Sequence, residues 1–235
     1  MVIRPGRLTG VTERMDRPDV PPAELARTLA DLARINRTFG GTRVVLEHLE
    51  PLLDRLPSPI RILDVGTGYA DLPRAIVERA RRRGLRIQID ALDRHDGIRA
   101  WAARACTEYP EIHLQDGDAL ALPYPDRSVD VALASQILHH MEGEEPVRLL
   151  RELRRVARHA VLVGDLRRGA WPFVVTWIAL HLVSRSSLIR HDGPLSIRRG
   201  FVPAELLGLA RSAGWVAPKI FRHSFFRLVL MERMG

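Results

Sequence analysis

The residues best placed to do chemistry lie in "RILDVGTGYADLP", Arg61 to Pro73. Asp64 stands two positions before Gly66, and Gly68, Ala70 and a second acid, Asp71, follow. Glycines at alternate positions allow unusual dihedrals and let a ligand approach the main chain. A helix starting just after them adds free N–H groups and a partial positive charge. Such a turn holds a nucleotide or a nucleoside, and the acids decide which. Counted from Gly66, the dinucleotide fingerprint G-x-G-x-x-G/A puts Asp71 at its sixth position. A carboxylate there repels a pyrophosphate. The pattern closes instead as G-x-G-x-A, with Ala70 as the third small residue. Asp64 likewise suits a cationic group better than a phosphate.

S-adenosylmethionine is a ligand of that kind, with an ammonium, a sulfonium and no phosphate. Asp93, in "IDALDRH", is placed to accept from both ribose hydroxyls, although dinucleotide enzymes share that feature and a helix cap is the plainer reading. Asp118, in "DGDALALP", is placed for an adenine amino group, with main chain at Ala119 for the ring nitrogens; a simple turn residue is the alternative. Thr67, Arg94 and Ser135 complete the candidate cofactor set. For catalysis the candidates are His139 and His140, after the fourth apolar run, and His191, beside Asp192. Histidine serves as a general base near neutral pH, but it also has many structural roles.

These residues need a scaffold, and the chain supplies its rhythm. "IRILDV", "RIQIDALD", "IHLQDGDA", "SVDVALASQIL" and "AVLVGDL" read as strands. Between them "LPRAIVERARRRG", "GIRAWAARACTEYP" and "PVRLLRELRRVARH" read as amphipathic helices. This alternation predicts a doubly wound α/β fold, Rossmann-like, with a mostly parallel sheet. "APKIF" and "FFRLVLMERM" predict a terminal hairpin, for seven strands in all. Residues 1–20 read as a mobile or loosely docked tail and 21–56 as an N-terminal helical cap. Residues 57–235 read as the main domain, with a helical insertion at 166–200 expected at the acceptor site. The insertion opens on "AWPFVVTWIALHLV", too short to span a bilayer. Its Trp171, Phe173, Trp177, Ile178 and Leu182 read as the wall of an apolar pocket, as ordinary helix packing, or as an interfacial surface that collects lipophilic substrate. The rest of it, "SRSSLIRHDGPLSIRRGF", reads as turn-rich.

Composition narrows the function. With one cysteine, Cys106, there is no disulfide framework and no zinc cluster, so the reading is a cytoplasmic protein without a metal. The net charge is +8, yet Lys219 is the one lysine. Arginines on solvated helix faces look like a composition bias, so no nucleic-acid partner is expected. The opening residues carry no apolar segment of the kind a secretory signal needs.

"ILDVGTGYADLP", "DALD", "GDALALPYPDRSVDVALASQILHH" and "LLRELRRVARHAVLVGDL" together resemble the successive motifs of class I S-adenosylmethionine-dependent methyltransferases. The resemblance covers residues 60–166, with Ala70 standing where many members have glycine. It implies that cofactor and an antiparallel final strand. "INRTFGGTR" and "RHDGPLSIRRGF" are similar to bacterial small-molecule methyltransferases of aromatic polyketide and quinone pathways. That implies transfer to an oxygen, or an activated carbon, of a phenolic, polyketide or quinone-like acceptor in secondary metabolism. Base-amino methyltransferases carry an acidic or Asn-Pro-Pro-aromatic motif where this chain reads "ASQILHH". The alternatives are an RNA methyltransferase and an NAD-binding oxidoreductase. Transient contact with a membrane surface, and a monomer or a homodimer, complete the expectations.

Overall fold

The computed structural model describes residues 6–17 and 20–234; residues 1–5, 18–19 and 235 lie outside the described residues. Helices α1 (Pro22–Thr38) and α2 (Gly41–Leu53) precede the sheet. Strands β1 (Ile60–Val65), β2 (Ile87–Leu92), β3 (Ile112–Gln115), β4 (Val129–Ser135) and β5 (Ala157–Leu166) follow in the expected places. They alternate with α3 (Asp71–Arg82), α4 (Asp96–Ala105) and α5 (Glu145–Val156). The insertion holds α6 (Ala170–Val183) and α7 (Ser187–Arg199), and α8 (Pro203–Ser212) leads to β6 (Lys219–His223) and β7 (Arg227–Arg233).

The seven strands lie in the order β3-β2-β1-β4-β5-β7-β6. The first five pair in parallel, and β7 runs antiparallel between β5 and β6. Helices cover both faces, which is why β4 is apolar almost throughout. On one face Leu49 and Leu53 of α2 and Ile76 of α3 pack on Ile62, Ile89 and Leu133. On the other, Leu149 and Leu153 of α5 and Leu206 of α8 pack on Leu63, Ala132 and Val163. Each such side chain contributes roughly 1.5–3 kcal/mol of transfer free energy. The strand order reverses between β1 and β4, so the ligand crevice opens at their carboxyl ends.

The structure revises three expectations. The helical cap divides: α2 belongs to the core, with Leu49 fully buried, while α1 overhangs the crevice. The turn-rich half of the insertion is helix α7, with Pro194 inside it. Gly193, Pro194 and Ser196 read as loop formers, but Leu188, Ile189 and Ile197 bury at helical spacing and the Ser186 side chain accepts from Ile189 N–H. A Cβ at Gly193 would lie 2.1 Å from Leu180 Cδ1, so close packing of α6 on α7 sets that residue. Finally, the described part of the tail is docked. Arg7 donates to the Arg199, His139 and Met141 carbonyls, and the Arg14 and Met15 amides donate to Asp192.

Candidate functional site

A cavity of about 960 Å³ lies over the carboxyl ends of β1, β2, β4 and β5. All nine candidate cofactor residues line it: Asp64, Gly66, Thr67, Gly68, Asp93, Arg94, Asp118, Ala119 and Ser135. The glycine turn is shaped by local necessity. Gly66 has φ 70°, and a Cβ there would lie 2.3 Å from Ile137 Cδ1. The Gly66 and Thr67 amides both donate to the Leu92 carbonyl, tying the turn to the end of β2. Ala70, at φ 55°, starts α3 at the back of the turn.

Asp93 holds the turn from the side. Its Oδ2 accepts from Gly68 N–H at 2.9 Å and its Oδ1 from His95 N–H at 3.0 Å. His95, not Asp93, caps α4. Each carboxylate oxygen has a second lone pair left to accept from a hydroxyl. Asp118 fills the turn role, accepting from Leu120 N–H at 2.9 Å, while also lining the cavity. Asp64 is almost fully buried; burial pushes its carboxyl up to about 7, with Asp71 and Asp93 adding to the shift. Burial likewise raises Asp71, which also lines the cavity. Two observations test the fit of a cationic nucleoside. The bare turn is a cradle that a Cβ would fill, and the acids cluster beside it. The residues fit that group.

The other half of the cavity is built from distant parts of the chain. After β4 a single 3-10 turn, Leu138–His140, brings His139 and His140 to the rim, their rings 4.2 Å apart. His139 Nδ1 lies 2.8 Å from Asp165 Oδ1, and its N–H donates to Asp165 Oδ2 at 3.1 Å. This pairing sets Nδ1 as the donor and leaves the Nε2 lone pair for a proton. Burial alone would raise Asp165, but its interaction and hydrogen bond with His139, with the Leu166 amide, hold it below the usual carboxylate range. His139 Nε2 faces Glu13 Oε1 at 3.8 Å, and Glu13 accepts from Ser196 Oγ at 2.8 Å. The buried Arg199 donates to the carbonyls of both histidines and to that of Val11.

Several of the expected site residues need correction, and others must be added. His191 does not join the cavity: it sits exposed beside a shallow outer cleft, Nδ1 2.7 Å from Asp192 Oδ1. Successive helix residues point about 100° apart, so the fold turns Asp192 inward and His191 outward. Trp171, Trp177, Ile178 and Leu182 are exposed as well; Val175, Thr176, Ala179 and Leu180, on the opposite face of α6, line the cavity. Reading residues for chemistry did not find Asp165, Glu13, Asn36, Gln136 or Arg227, all at the cavity or its histidine. Asp165 ends the fifth strand, where an acid is a visible signal; the others have none in sequence. Cysteine counting also missed one ligating cluster: atoms of Glu13, His139 and His140 come within 4.8 Å of one another, a set able to hold a divalent cation.

Residues 63–163 match the family described as a methyltransferase domain. A S-adenosylmethionine-dependent methyltransferase from Aquifex aeolicus superposes with a TM-score of 0.64 at 15% identity, over 92% of this chain and 100% of that one. The C-methyltransferase (CMeT) domain of the citrinin polyketide synthase gives 0.59 at 17%, over 78% of this chain and 49% of that one. In sequence the chain is 31% identical, over 121 residues, to an uncharacterized 37.1 kDa protein in transposon TN4556 of Streptomyces fradiae. That stretch is 51% of this chain and spans 33% of the relative. Sheet order and topology are thus those of the fold that these methyltransferase structures share, and residues 63–163 carry the match to a methyltransferase domain. The glycine turn and the acids beside it fit S-adenosylmethionine. Among the described residues no helix is long and apolar enough to cross a membrane.

Proposed function

We propose that the protein transfers a methyl group to an oxygen, or an activated carbon, of a small phenolic, polyketide or quinone-like acceptor in secondary metabolism. The observation that carries this is the His139–Asp165 pair at the rim of the cavity that holds the glycine turn. When bound, the cofactor supplies an electrophilic methyl on a sulfonium. Asp64, the turn and Asp93 bind and orient it; the apolar faces of α1 and α6 exclude water. A phenol has an ordinary pKa near ~10, so a base at Nε2 of His139 speeds its attack by ~10²–10⁴-fold. The proton moves from the acceptor oxygen to Nε2, and Asp165 stabilises the imidazolium through Nδ1. His140, stacked on His139, shapes the same wall. The likeness to a polyketide synthase methyltransferase domain supports the acceptor class. The exposed apolar face of α6, beside Arg185, Arg190 and Arg198, is suited to transient contact with a membrane surface carrying lipophilic acceptor.

A methylation screen of alkylresorcinols, naphthols and quinols, read by mass spectrometry, tests this. Transfer to one of these classes supports it. Transfer to RNA alone, or binding of NAD in place of S-adenosylhomocysteine, overturns it.

A further inference from the structure

Three arginines are buried among the described residues, and two of them have their charge answered. Arg168 forks onto Glu205 at 2.6 and 3.0 Å and donates to the Gly200 carbonyl. Arg199 donates to three carbonyls and lies 3.7 Å from Glu142. Arg227 differs. It is 8% exposed and begins β7 opposite Leu166, at the cavity wall. Its NH1 donates to Gln136 Oε1 at 2.8 Å and its NH2 reaches Asn36 Oδ1 at 3.5 Å. Both partners are neutral amides, and its buried Nε–H has no acceptor. Burial lowers the guanidinium to about 10, so it keeps its charge at neutral pH. The nearest acid acting on it, Asp165, is already bonded to His139 and the Leu166 amide.

A buried cation without a carboxylate is costly, and five donors facing two acceptors leave it under-satisfied. The backbone around it is strained. Phe225, Phe226 and Gln136 all line the cavity and all hold left-handed φ angles, 53°, 59° and 56°. Non-glycine residues in that region persist where the surroundings impose them, typically at ligand clamps. Room for the amides is also built in: a Cβ at Gly41 would lie 3.1 Å from Asn36 Oδ1 and from Gln136 Nε2. Phe39 and Phe225 meet edge to face at 5.4 Å at the same wall.

We propose that Arg227, set by Asn36 and Gln136 and flanked by Phe39 and Phe225, recognises an anionic oxygen group of an aromatic acceptor, a carboxylate or an ionised phenol. This rests on the methyl-transfer reading, and it deepens it: the acceptor is an acid. The guanidinium holds the anion while the rings hold the plane, which sets the distance from the anchored group to the methylated atom.

The test uses the full chain saturated with S-adenosylhomocysteine and follows binding by calorimetry. The probes are 2-hydroxybenzoate and 1-hydroxy-2-naphthoate against their methyl esters, and 4-nitro-1-naphthol, largely ionised near pH 8, against 1-naphthol. The acids, or the ionised naphthol, should bind at least tenfold tighter than their neutral partners. A preference in the first pairs assigns a carboxylate, and in the last pair a phenolate. Arg227→Gln should erase the preference and leave the S-adenosylhomocysteine dissociation constant within about twofold. Equal binding of acids and neutral partners by the unaltered protein overturns the proposal, and that comparison needs no variant. So does a preference that survives Arg227→Gln. Failure to bind S-adenosylhomocysteine sinks the methyl-transfer reading itself, a separate outcome.

Discussion

The two halves of the cavity are built in opposite ways. The cofactor half comes from β1, β2 and their following turns, with Asp118 after β3 and Ser135 at the end of β4. Its bonds are short-range or main-chain: Gly66 and Thr67 to Leu92, Gly68 and His95 to Asp93. The acceptor half gathers Glu13, Asn36, His139, Asp165, Ser196 and Arg227 from six separate segments of the chain. Its bonds run between side chains far apart in the chain, such as Glu13 to Ser196 and Arg227 to Gln136. A fixed nucleoside is served by local backbone geometry. An acceptor specific to one enzyme is served by pieces that can be exchanged without touching the sheet.

That contrast can be broken by experiments on either half. The largest effect belongs to the acceptor side. His139→Ala should lower kcat for an acceptor found by the screen by ~10²–10⁴-fold and leave S-adenosylhomocysteine affinity nearly unchanged. Calorimetry showing equal loss on both sides would mean the histidine is structural. In the cofactor half, Gly66→Val forces a side chain into Ile137 at an unfavourable φ, and S-adenosylhomocysteine binding should weaken by about a hundredfold. Asp93→Ala should cost at least about tenfold in the same titration, since ribose hydroxyls and the turn both lose an acceptor; an unchanged constant would remove the ribose assignment.

The smallest effect is a pH dependence. Burial holds Asp64 near 7, above its ordinary carboxylate value, so the free protein at pH 6 carries a proton there that the unfolded chain lacks. Its own stability therefore falls as pH rises between about 4 and 7. A cation beside Asp64 reverses that preference. S-adenosylmethionine should bind up to about tenfold more tightly at pH 8 than at pH 6, with a larger rise in Tm, and Asp64→Asn should flatten both. A chelator should leave the rate unchanged if His139 acts as a base, and abolish it if Glu13, His139 and His140 hold a metal.

Much of this was legible from the chain alone, and the reason differs by region. β1 is bounded as its apolar run is, and the buried stripe of α5 is the stripe that its periodicity draws. The glycine turn could be read because a left-handed φ and a close approach restrict the residue type at that position. α7 could not, since Gly193 and Pro194 signal a turn until α6 packs against them. His191 could not either: the spacing that puts Asp192 inside puts it outside, and only the placed helix says which neighbour faces in.

By itself, then, the sequence determined the sheet, its helices and the nucleoside turn, because periodicity, glycine and strand-end acids act within a few residues of themselves. The tertiary structure alone decided the partner of His139, the docking of the described N-terminal residues and the unanswered charge of Arg227. Those are properties of side chains from remote segments meeting in a dry place. No local pattern records which groups will share it.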